Sequence, residues 1–448
     1  MAVTLERLQT ASCATEQGEL STRAAAEAYI GGVCFKLGPP ALIGAELEWL
    51  TVQGECSASG PSAAPRPQLS ALADALGPYA PRSIAADSPA LALPGGSRVT
   101  LEPGGQIELS SAPYGTAAQL CDRLREDARL LRELLESRSI RPISLAADAD
   151  RRPKRLLQLP RYRAMERSFG GIGPFGKLMM CNTAATQVSV DAGGDRAEVT
   201  ARWTALYAIG PALLAAFACS PALRGAPPGT WASQRMRAWL RLDNARTRPQ
   251  VLDWADPVAA YGRWALDVPL LCVRRPDDAG EPGNGHHGGW FAPPGATFAD
   301  WLSGALDDEV GRRPDTGDLD YHLTTLFPPV RASGHLEVRY IDAQPGDAWT
   351  VPVHVIDALL SSPAVVAEAT SLAAPLADRW VDAARSGLAD PDIRAGAVAL
   401  LRLAAAHAAT EQAARAVESA AERCRSGRIP TEDDIVNSVG ADPPGADR

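Results

Sequence analysis

The segment Val99-Thr-Leu-Glu-Pro-Gly-Gly-Gln-Ile-Glu-Leu-Ser-Ser-Ala-Pro-Tyr114 alternates polar and apolar side chains around a Gly-Gly pair. Successive side chains of an extended strand point to opposite faces of its sheet. The stretch is therefore predicted to be a strand whose polar face carries Glu102, Gln106 and Glu108 and whose other face is apolar. Such a polar face meets bulk water or lines a polar cavity. The two glycines in the stretch predict a close approach to the backbone.

Polar side chains alternate in the same way in three other segments. These side chains are Glu46 and Glu48, then Gln187, Ser189 and Asp191, then Glu337 and Arg339. For one strand alone, a water-exposed sheet face is the simpler interpretation, since antiparallel sheets commonly expose one face. Four such strands, rich in Glu and without Lys, favour the wall of a polar cavity.

A concave face with five carboxylates is repulsive unless cations neutralise it. Mg²⁺ or Mn²⁺ is the natural counter-ion, because both prefer oxygen ligands and retain water and substrate phosphates. Such ions beside an arginine are what phosphoryl transfer requires. The chain has no Gly-x-x-x-x-Gly-Lys loop, so its nucleotide site is not predicted to be a P-loop.

Composition narrows the class of protein further. The net charge of −9 over 448 residues argues against a nucleic-acid partner. The 8 cysteines form no Cys-x-x-Cys pair, so neither a zinc site nor a disulfide framework is expected. No apolar run reaches about 18 residues, and the first twenty residues lack an apolar signal core. We therefore expect a cytoplasmic protein, a monomer or homodimer, without a membrane partner.

Periodicity also predicts a coarse order of elements. Helices are predicted within residues 1–34 (ending near Gly31-Gly32), at 69–76, 116–137 and 195–219, and from about 354 to 426. Strands are predicted at 143–147, 179–191, 265–274 and 336–342, a loop at 160–177, and a mobile loop at 275–289 that contains His286 and His287. For these two histidines, a solvated loop is preferred to a metal pair.

Several motifs occur in an order that resembles the glutamate–cysteine ligases of the plant and proteobacterial type. They are Glu46-x-Glu48, Leu101-Glu-Pro-Gly-Gly-Gln-Ile-Glu-Leu-Ser110, Met179-Met, Gln187-Val, Ala265-Leu-Asp-Val-Pro269, Thr297-Phe, His322-Leu-Thr-Thr-Leu-Phe-Pro328 and Glu337-x-Arg339. The resemblance spans about residues 40–350, and the composition is most like the actinobacterial branch that supplies ergothioneine synthesis.

The resemblance implies a fold and a reaction. The expected fold is α+β, a curved antiparallel sheet forming a funnel flanked by helices, with a glutamine-synthetase-like core. Residues 1–352 would form the catalytic domain, 353–426 a helical segment packed on it, and 427–448 a tail. ATP would phosphorylate the γ-carboxylate of glutamate, and the amine of cysteine would displace phosphate to give γ-glutamylcysteine.

The resemblance also implies roles for individual residues. The metal ligands for Mg²⁺ or Mn²⁺ would be Glu46, Glu48, Glu102, Glu108 and Glu337, with Gln187 as a further one. Arg339 and Arg331 would act on the phosphoryl group. Arg246 would hold the α-carboxylate of glutamate, and Gln106 and Asn182 would contact substrate.

Three positions depart from the family pattern and leave the amino-acid pockets less defined. Asn182 stands where the family has Arg, Arg248 where it has Gly, and Pro329 where it has Glu. Two alternatives therefore stay open: a ligase that joins glutamate to another amine, and a non-catalytic nucleotide-binding paralogue. Gln106 is equally open, either to bind substrate or to brace the metal ligands.

Overall fold

A seven-stranded antiparallel sheet organises the protein. The structure, a computed structural model, describes residues 20, 22–54, 64–249, 255–274 and 290–431. The strands are β1 Ile43–Gln53, β2 Arg98–Leu101, β3 Ile107–Ser110, β4 Ile140–Ile143, β5 Ala185–Val190, β6 Val330–Ala332 and β7 Leu336–Asp342. Their order is β2-β3-β1-β5-β7-β6, and β4 pairs with the later half of β1. The fold is thus a mixed helix and antiparallel-sheet fold.

Helices account for most of the remaining regular structure. The first nine are α1 Arg23–Cys34, α2 Leu69–Leu76, α3 Ala117–Glu136, α4 Pro160–Ile172, α5 Phe175–Asn182, α6 Arg196–Ala208, α7 Gly210–Phe217, α8 Gln234–Leu242 and α9 Asn244–Thr247. The later ones are α10 Pro257–Asp267, α11 Phe298–Ser303, α12 Asp307–Val310, α13 Thr316–Leu323, α14 Thr350–Leu359, α15 Pro363–Ala373, α16 Trp380–Ser386, α17 Pro391–Ala406 and α18 Glu411–Arg425.

The stretch 99–114 is a hairpin, so its prediction as one strand is wrong. The Glu102 N–H donates to the Gln106 carbonyl at 2.9 Å, and the Gly105 N–H donates to the Glu102 carbonyl at 2.9 Å. Gly105 has a φ of 85°, the left-handed conformation that completes this type of short loop. Because Leu101 pairs with Ile107, the hairpin still puts Glu102 and Glu108 on the same face.

Other predictions of local structure are also corrected. Residues 160–177 form α4 and the start of α5, not a loop, because Pro160 opens a helix at its first turn. The segment 179–191 begins inside α5 and becomes a strand only at Ala185. Residues 265–274 continue α10 and then run irregularly, and the predicted strand at 143–147 lies earlier, at β4. Helix α1 continues through Gly31-Gly32, and the loop 275–289 lies outside the described residues.

Helices pack against the apolar face of the sheet and against each other. Ala45, Leu47 and Val188 of the central strands are at most 2% exposed on that face. The last helix, α18, is tied to α7, where Arg423 Nη2 donates to the Ala216 carbonyl at 3.0 Å. No single helix in the described ranges has the length and hydropathy to cross a membrane; α14 and the segment Pro363–Leu376 meet that test only as a pair bent by 108°.

Candidate active site

The polar side chains of four strands meet on one face of the sheet. In the register, Glu48 lies opposite Glu108 of β3, and Glu46 lies opposite Gln187 of β5. Farther along β5, Ser189 lies opposite Glu337 of β7. Side chains that face each other across neighbouring strands are about 5 Å apart at Cβ. The four polar segments therefore form one continuous row, which we call the carboxylate row.

Gln187 holds two carboxylates of the carboxylate row together. Its Nε2 donates to Glu46 Oε2 at 3.1 Å and to Glu48 Oε1 at 3.0 Å. The Ala185 backbone N–H donates to the other oxygen of Glu48 at 2.9 Å, and the Ser110 hydroxyl donates to Glu46 at 3.1 Å. Gln187 Oε1 is buried and accepts no hydrogen bond from the described residues. The amide thus lies where a cation would bridge the same two carboxylates.

Burial and acidic neighbours disfavour the ionised forms of Glu48, Glu102 and Glu108. Burial, reinforced by Glu102, raises the pKa of Glu48 to about 8. The pKa of Glu102 is also raised by burial and by Glu46, although its side chain is only partly buried by area. Glu108 is 0% exposed, and burial with its acidic neighbours raises its pKa well above the ordinary range. Bound positive charge would relieve this repulsion.

Glu337 has the opposite electrostatic environment. Arg331 approaches it with two nitrogens, Nε at 2.7 Å and Nη2 at 3.0 Å, and Arg339 Nη1 donates to Glu337 Oε2 at 2.7 Å. Burial alone would raise the pKa of Glu337, but the two arginines hold it well below its usual range. All three residues are at most 4% exposed. The β6–β7 end of the row is therefore cationic.

A small cavity of about 30 Å³ opens where these two environments meet. Its wall includes Glu48, Glu102, Gln187, Arg235 and Arg339. Larger cavities of about 700 and 520 Å³ lie among helices elsewhere. We assign the chemistry to the small cavity, because it alone among these three adjoins the carboxylates and arginines of the row. It has room for about one or two water molecules.

Arg235 and Trp239 belong to this cavity and were not predicted from the sequence. Arg235 Nη2 donates to the Arg339 carbonyl at 2.8 Å, and its guanidinium lies 5.5 Å from the centre of the Trp239 ring. Arg339 also stacks on that ring, at 5.3 Å. The spacing of four residues puts Arg235 and Trp239 on one face of α8, which was the available signal in the sequence.

The residues predicted to contact substrate lie in three different environments. Gln106 lines the cavity, and its amide donates to the carbonyls of Thr183 at 2.9 Å and Met180 at 3.3 Å. Gln106 therefore braces the hairpin against α5, whereas its Oε1 has no hydrogen-bond partner in the described ranges.

Asn182 and Arg246 make hydrogen bonds within the chain, away from the small cavity, and their contact with substrate stays a prediction. Asn182 Nδ2 donates to the Arg151 carbonyl at 2.6 Å, and its oxygen accepts from Arg66 at 2.7 Å, in a separate network. Arg246 Nε donates to Asp243 at 2.7 Å, Nη1 to the Thr325 carbonyl and Nη2 to the Pro269 carbonyl. Neither residue lines the small cavity.

The donor set suits a hard cation, although it is not arranged as a finished cage. Among the described residues, no three Asp, Glu, His or Cys side chains are grouped so as to hold a metal as they stand. The row nevertheless offers carboxylate oxygens and the unbonded amide oxygen of Gln187, which are ligands that Mg²⁺ and Mn²⁺ prefer.

Comparison with known proteins agrees with this chemistry. The family model "Glutamate-cysteine ligase family 2 (GCS2)" matches residues 42–441. Glutamate–cysteine ligase EgtA of Mycolicibacterium smegmatis is 37% identical over 397 residues, which cover 88% of this chain and 86% of the relative. The EgtA of Mycobacterium tuberculosis is 34% identical, covering 92% and 89%.

More distant proteins are also similar. The chloroplastic glutamate–cysteine ligase of Medicago truncatula is 32% identical over 255 residues, which cover 56% of this chain and 48% of the relative. Among solved structures, a glutamate–cysteine ligase from Francisella tularensis in complex with AMP has a TM-score of 0.46 and 14% identity, covering 90% of this chain and 86% of that one.

Proposed function

Since the chain belongs to glutamate–cysteine ligase family 2, we propose that it joins the γ-carboxylate of L-glutamate to the amine of L-cysteine at the expense of ATP. The observation that carries the proposal is the carboxylate row itself, which ends at Glu337 between Arg331 and Arg339. Similarity to two EgtA enzymes supports a place for the product in ergothioneine biosynthesis. The same similarity does not favour another amine or a non-catalytic role.

The proposed reaction has two steps. The γ-carboxylate of glutamate attacks the γ-phosphorus of ATP, which gives γ-glutamyl phosphate and ADP. The cysteine amine then attacks the carbonyl carbon of this acyl phosphate (Cδ of glutamate), the C–O bond to phosphate breaks, the nitrogen loses a proton, and γ-glutamylcysteine and phosphate form. ATP is needed because a free carboxylate has no adequate leaving group. The amine, with a pKa of roughly 8, needs only modest help to lose its proton.

The residues of the row have proposed roles in these steps. Arg339 and Arg331 would stabilise the negative charge of the transferring phosphoryl group, because both guanidinium groups are already fixed by Glu337. Glu46, Glu48, Glu102, Glu108 and Glu337, with Gln187, would hold Mg²⁺ or Mn²⁺. The ions would supply charge neutralisation on the phosphate oxygens of ATP. Gln106 would orient substrate through its unbonded Oε1.

The proposal extends to architecture and cell compartment. The antiparallel sheet with its polar face supports a funnel of the glutamine-synthetase type. We divide the chain at residue 352 into a catalytic domain and a helical segment, 353–426, with a tail at 427–448. The reaction consumes ATP, which supports a cytoplasmic enzyme. Its partners would be the small molecules glutamate, cysteine and ATP.

Release of ADP in a coupled assay tests the function. Glutamate is held saturating with Mg²⁺-ATP, and each amino acid is supplied in turn as the amine. We expect cysteine to give the highest kcat/KM and mass spectrometry to identify γ-glutamylcysteine. A higher kcat/KM for another amine would refute the assignment of cysteine. Absence of glutamate-dependent ADP release with every amine would refute the ligase activity altogether.

A further inference from the structure

A second, larger cavity lies on the other side of the active sheet. It has a volume of about 700 Å³ and is bounded by one face of α6, by the corner between α14 and α15, and by the beginning of β1. Ile43 of β1 lines it, and three residues farther along the same strand Glu46 points to the opposite face. The cavity is therefore separated from the carboxylate row by the thickness of the sheet.

Arg202 gives this cavity a fixed cationic group. The residue is 6% exposed, and its Nε and Nη1 donate to the carbonyls of Asp191 at 3.2 Å and Leu360 at 3.1 Å. Nη2 has neither a hydrogen bond nor an ion pair with the described part of the chain. A guanidinium locked by two main-chain carbonyls with a third nitrogen left over is preorganised for an anionic group.

Three acidic side chains share the wall with Arg202 and with apolar residues. Asp195, Glu198 and Asp357 also line the cavity, and Arg202 is the one cation among the described residues of its wall. Asp195 and Glu198 accept backbone N–H groups, from Glu198 and Gly194. Asp357 accepts no hydrogen bond from the described chain. Burial raises the pKa of Asp357 while Arg202 opposes that shift, so the two groups are electrostatically linked.

We propose that this cavity binds a small zwitterion, an amino acid or a betaine-like derivative. Its carboxylate would bind Arg202 Nη2 beside the N-terminus of α15, and its cationic nitrogen would face Asp357 and Glu198. A simple anion would meet three carboxylates, and a simple cation would leave Arg202 unpaired. Only a molecule that carries both charges satisfies both sides of the wall.

The contacts of Arg202 also connect the cavity to the active strands. Asp191, whose carbonyl Arg202 binds, follows directly after β5, the strand of Gln187. The Asp191 carboxylate accepts the N–H groups of Ala41 and Leu42, both at 2.9 Å, immediately before β1. A ligand that pulls on the guanidinium would thus act on the ends of the two strands that carry Glu46, Glu48 and Gln187. We therefore infer that the zwitterion modulates the ligase; this part rests on the proposed function.

Direct binding tests the site without reference to turnover. Isothermal titration calorimetry without ATP would use two zwitterions, glycine betaine and γ-aminobutyrate, and acetate as a simple anion. The blocking variant is Ala201→Phe, since Ala201 is exposed and lines the cavity. The matched control is Ala367→Phe on α15, an exposed alanine that does not line it. Arg202 itself is not substituted, because its removal would leave the two main-chain carbonyls that it binds without their hydrogen bonds from the guanidinium.

We expect at least one zwitterion to bind the wild type and Ala367→Phe equally. Ala201→Phe should weaken that binding by at least about tenfold, which corresponds to about 1.4 kcal/mol. Asp357→Asn should weaken the zwitterion but not acetate. The site is refuted if no zwitterion binds, or if Ala201→Phe binds like the control. The zwitterion class is refuted if acetate binds as well as the zwitterions do.

Activity assays then test modulation separately. The bound zwitterion should change the kcat or KM of ADP release in the wild type and in Ala367→Phe. In Ala201→Phe, adding the zwitterion should change neither constant. Binding without any such change would refute modulation while leaving the site. Absence of all ligase activity, with binding intact, would refute the proposed function and not the site. The two proposals therefore fail in different measurements.

Discussion

At the scale of single residues, Gln187 explains how a protein keeps several buried carboxylates side by side. Its amide N–H groups reach Glu46 and Glu48, so that one neutral donor bridges two neighbouring acidic side chains. A lysine at this position would neutralise one carboxylate. An amide is neutral, so the row stays acidic enough to attract a cation. We therefore interpret the acidic side chains of the carboxylate row as a feature required for cation binding.

Arg339 is predicted to act on the reaction and not on glutamate binding. It is fixed by Glu337 and lies over Trp239, so its loss removes positive charge near the phosphoryl group. We expect Arg339→Ala to lower kcat by about a hundredfold or more with less than a threefold rise in the KM for glutamate. Steady-state kinetics against glutamate measure both. A rise in KM at unchanged kcat would move Arg339 to the binding site.

Glu48 predicts how the stability of the metal-free protein depends on pH. Its pKa is raised in the folded state from 4.5 to about 8. The folded protein therefore binds this proton more tightly than the unfolded chain does. The stability that follows is fully present below about pH 4.5 and is lost as the pH rises through about 8. We expect the melting temperature in EDTA to fall between pH 6 and 9, and to fall less in Glu48→Gln. If the melting temperatures of the wild type and Glu48→Gln fall equally with pH, the raised pKa of Glu48 is contradicted.

At the scale of elements, the 99–114 hairpin depends on how closely its turn meets α5. A Cβ added to Gly104 would lie 2.3 Å from the Cys181 carbonyl oxygen. The close backbone approach predicted from the glycines is therefore real, and the group that approaches is a helix rather than a ligand. Since the turn carries Glu102 and Gln106, the packing of α5 positions two residues of the cavity.

Gly104→Ala is predicted to damage both stability and activity. Overpacking against a main-chain oxygen costs about 1–3 kcal/mol or more, because neither the turn nor the helix can rotate away. Gly32→Ala is the matched control, since its Cβ would meet nothing within 4 Å inside α1. That control should be neutral or stabilising by up to about 1 kcal/mol. Chemical denaturation of both variants measures the difference, and equal stability would contradict the packing argument.

Alternation predicted the elements in which one face alone is buried. The strand pattern of Glu46 and Glu48 and the helical pattern of Ala117–Glu136 both appear in the structure. The helix at Phe175–Asn182 was missed because six of its eight residues are buried, which leaves an apolar run without a distinguishing period. The helix Pro160–Ile172 was missed because its first residue is a proline and two glycines lie just before its last residue, both of which are typical of loops.

The family resemblance predicted which residues belong to the carboxylate row, but not which hydrogen-bond partners surround each predicted residue. It identified Glu46, Glu48, Glu108 and Glu337, which the register of the sheet then brought together. It could not predict that Arg246 is occupied by Asp243 and two main-chain carbonyls, because those partners come from residues up to 79 positions away. A motif specifies the residue type at a position. It does not specify which hydrogen-bond donors of that side chain are bonded to other parts of the chain.

At the scale of the whole molecule, cation binding should be visible as global stability. A ligand that binds only the folded state stabilises it by mass action, by about 2.7 kcal/mol at a hundred times its Kd. We expect Mg²⁺ to raise the melting temperature of the wild type at pH 8, and Glu108→Gln to reduce that rise and to abolish ligation. The same variant without metal should melt at or above the wild-type temperature, because burial disfavours the ionised form of Glu108 and an amide has no ionised form. An unchanged Mg²⁺ response would refute the metal assignment.

The position of β1 in the centre of the sheet has a consequence for how the chain is made. β1 is the first of the described strands to leave the ribosome, yet both neighbours that flank it come later, and β5 pairs in turn with β7 at residues 336–342. The pairing of β5 with β7 cannot form until about three quarters of the chain has been translated. Such long-range pairing slows folding and leaves strand edges exposed in the meantime. The nascent chain is therefore expected to depend on chaperones, and truncation before β7 should yield aggregates rather than a smaller folded unit.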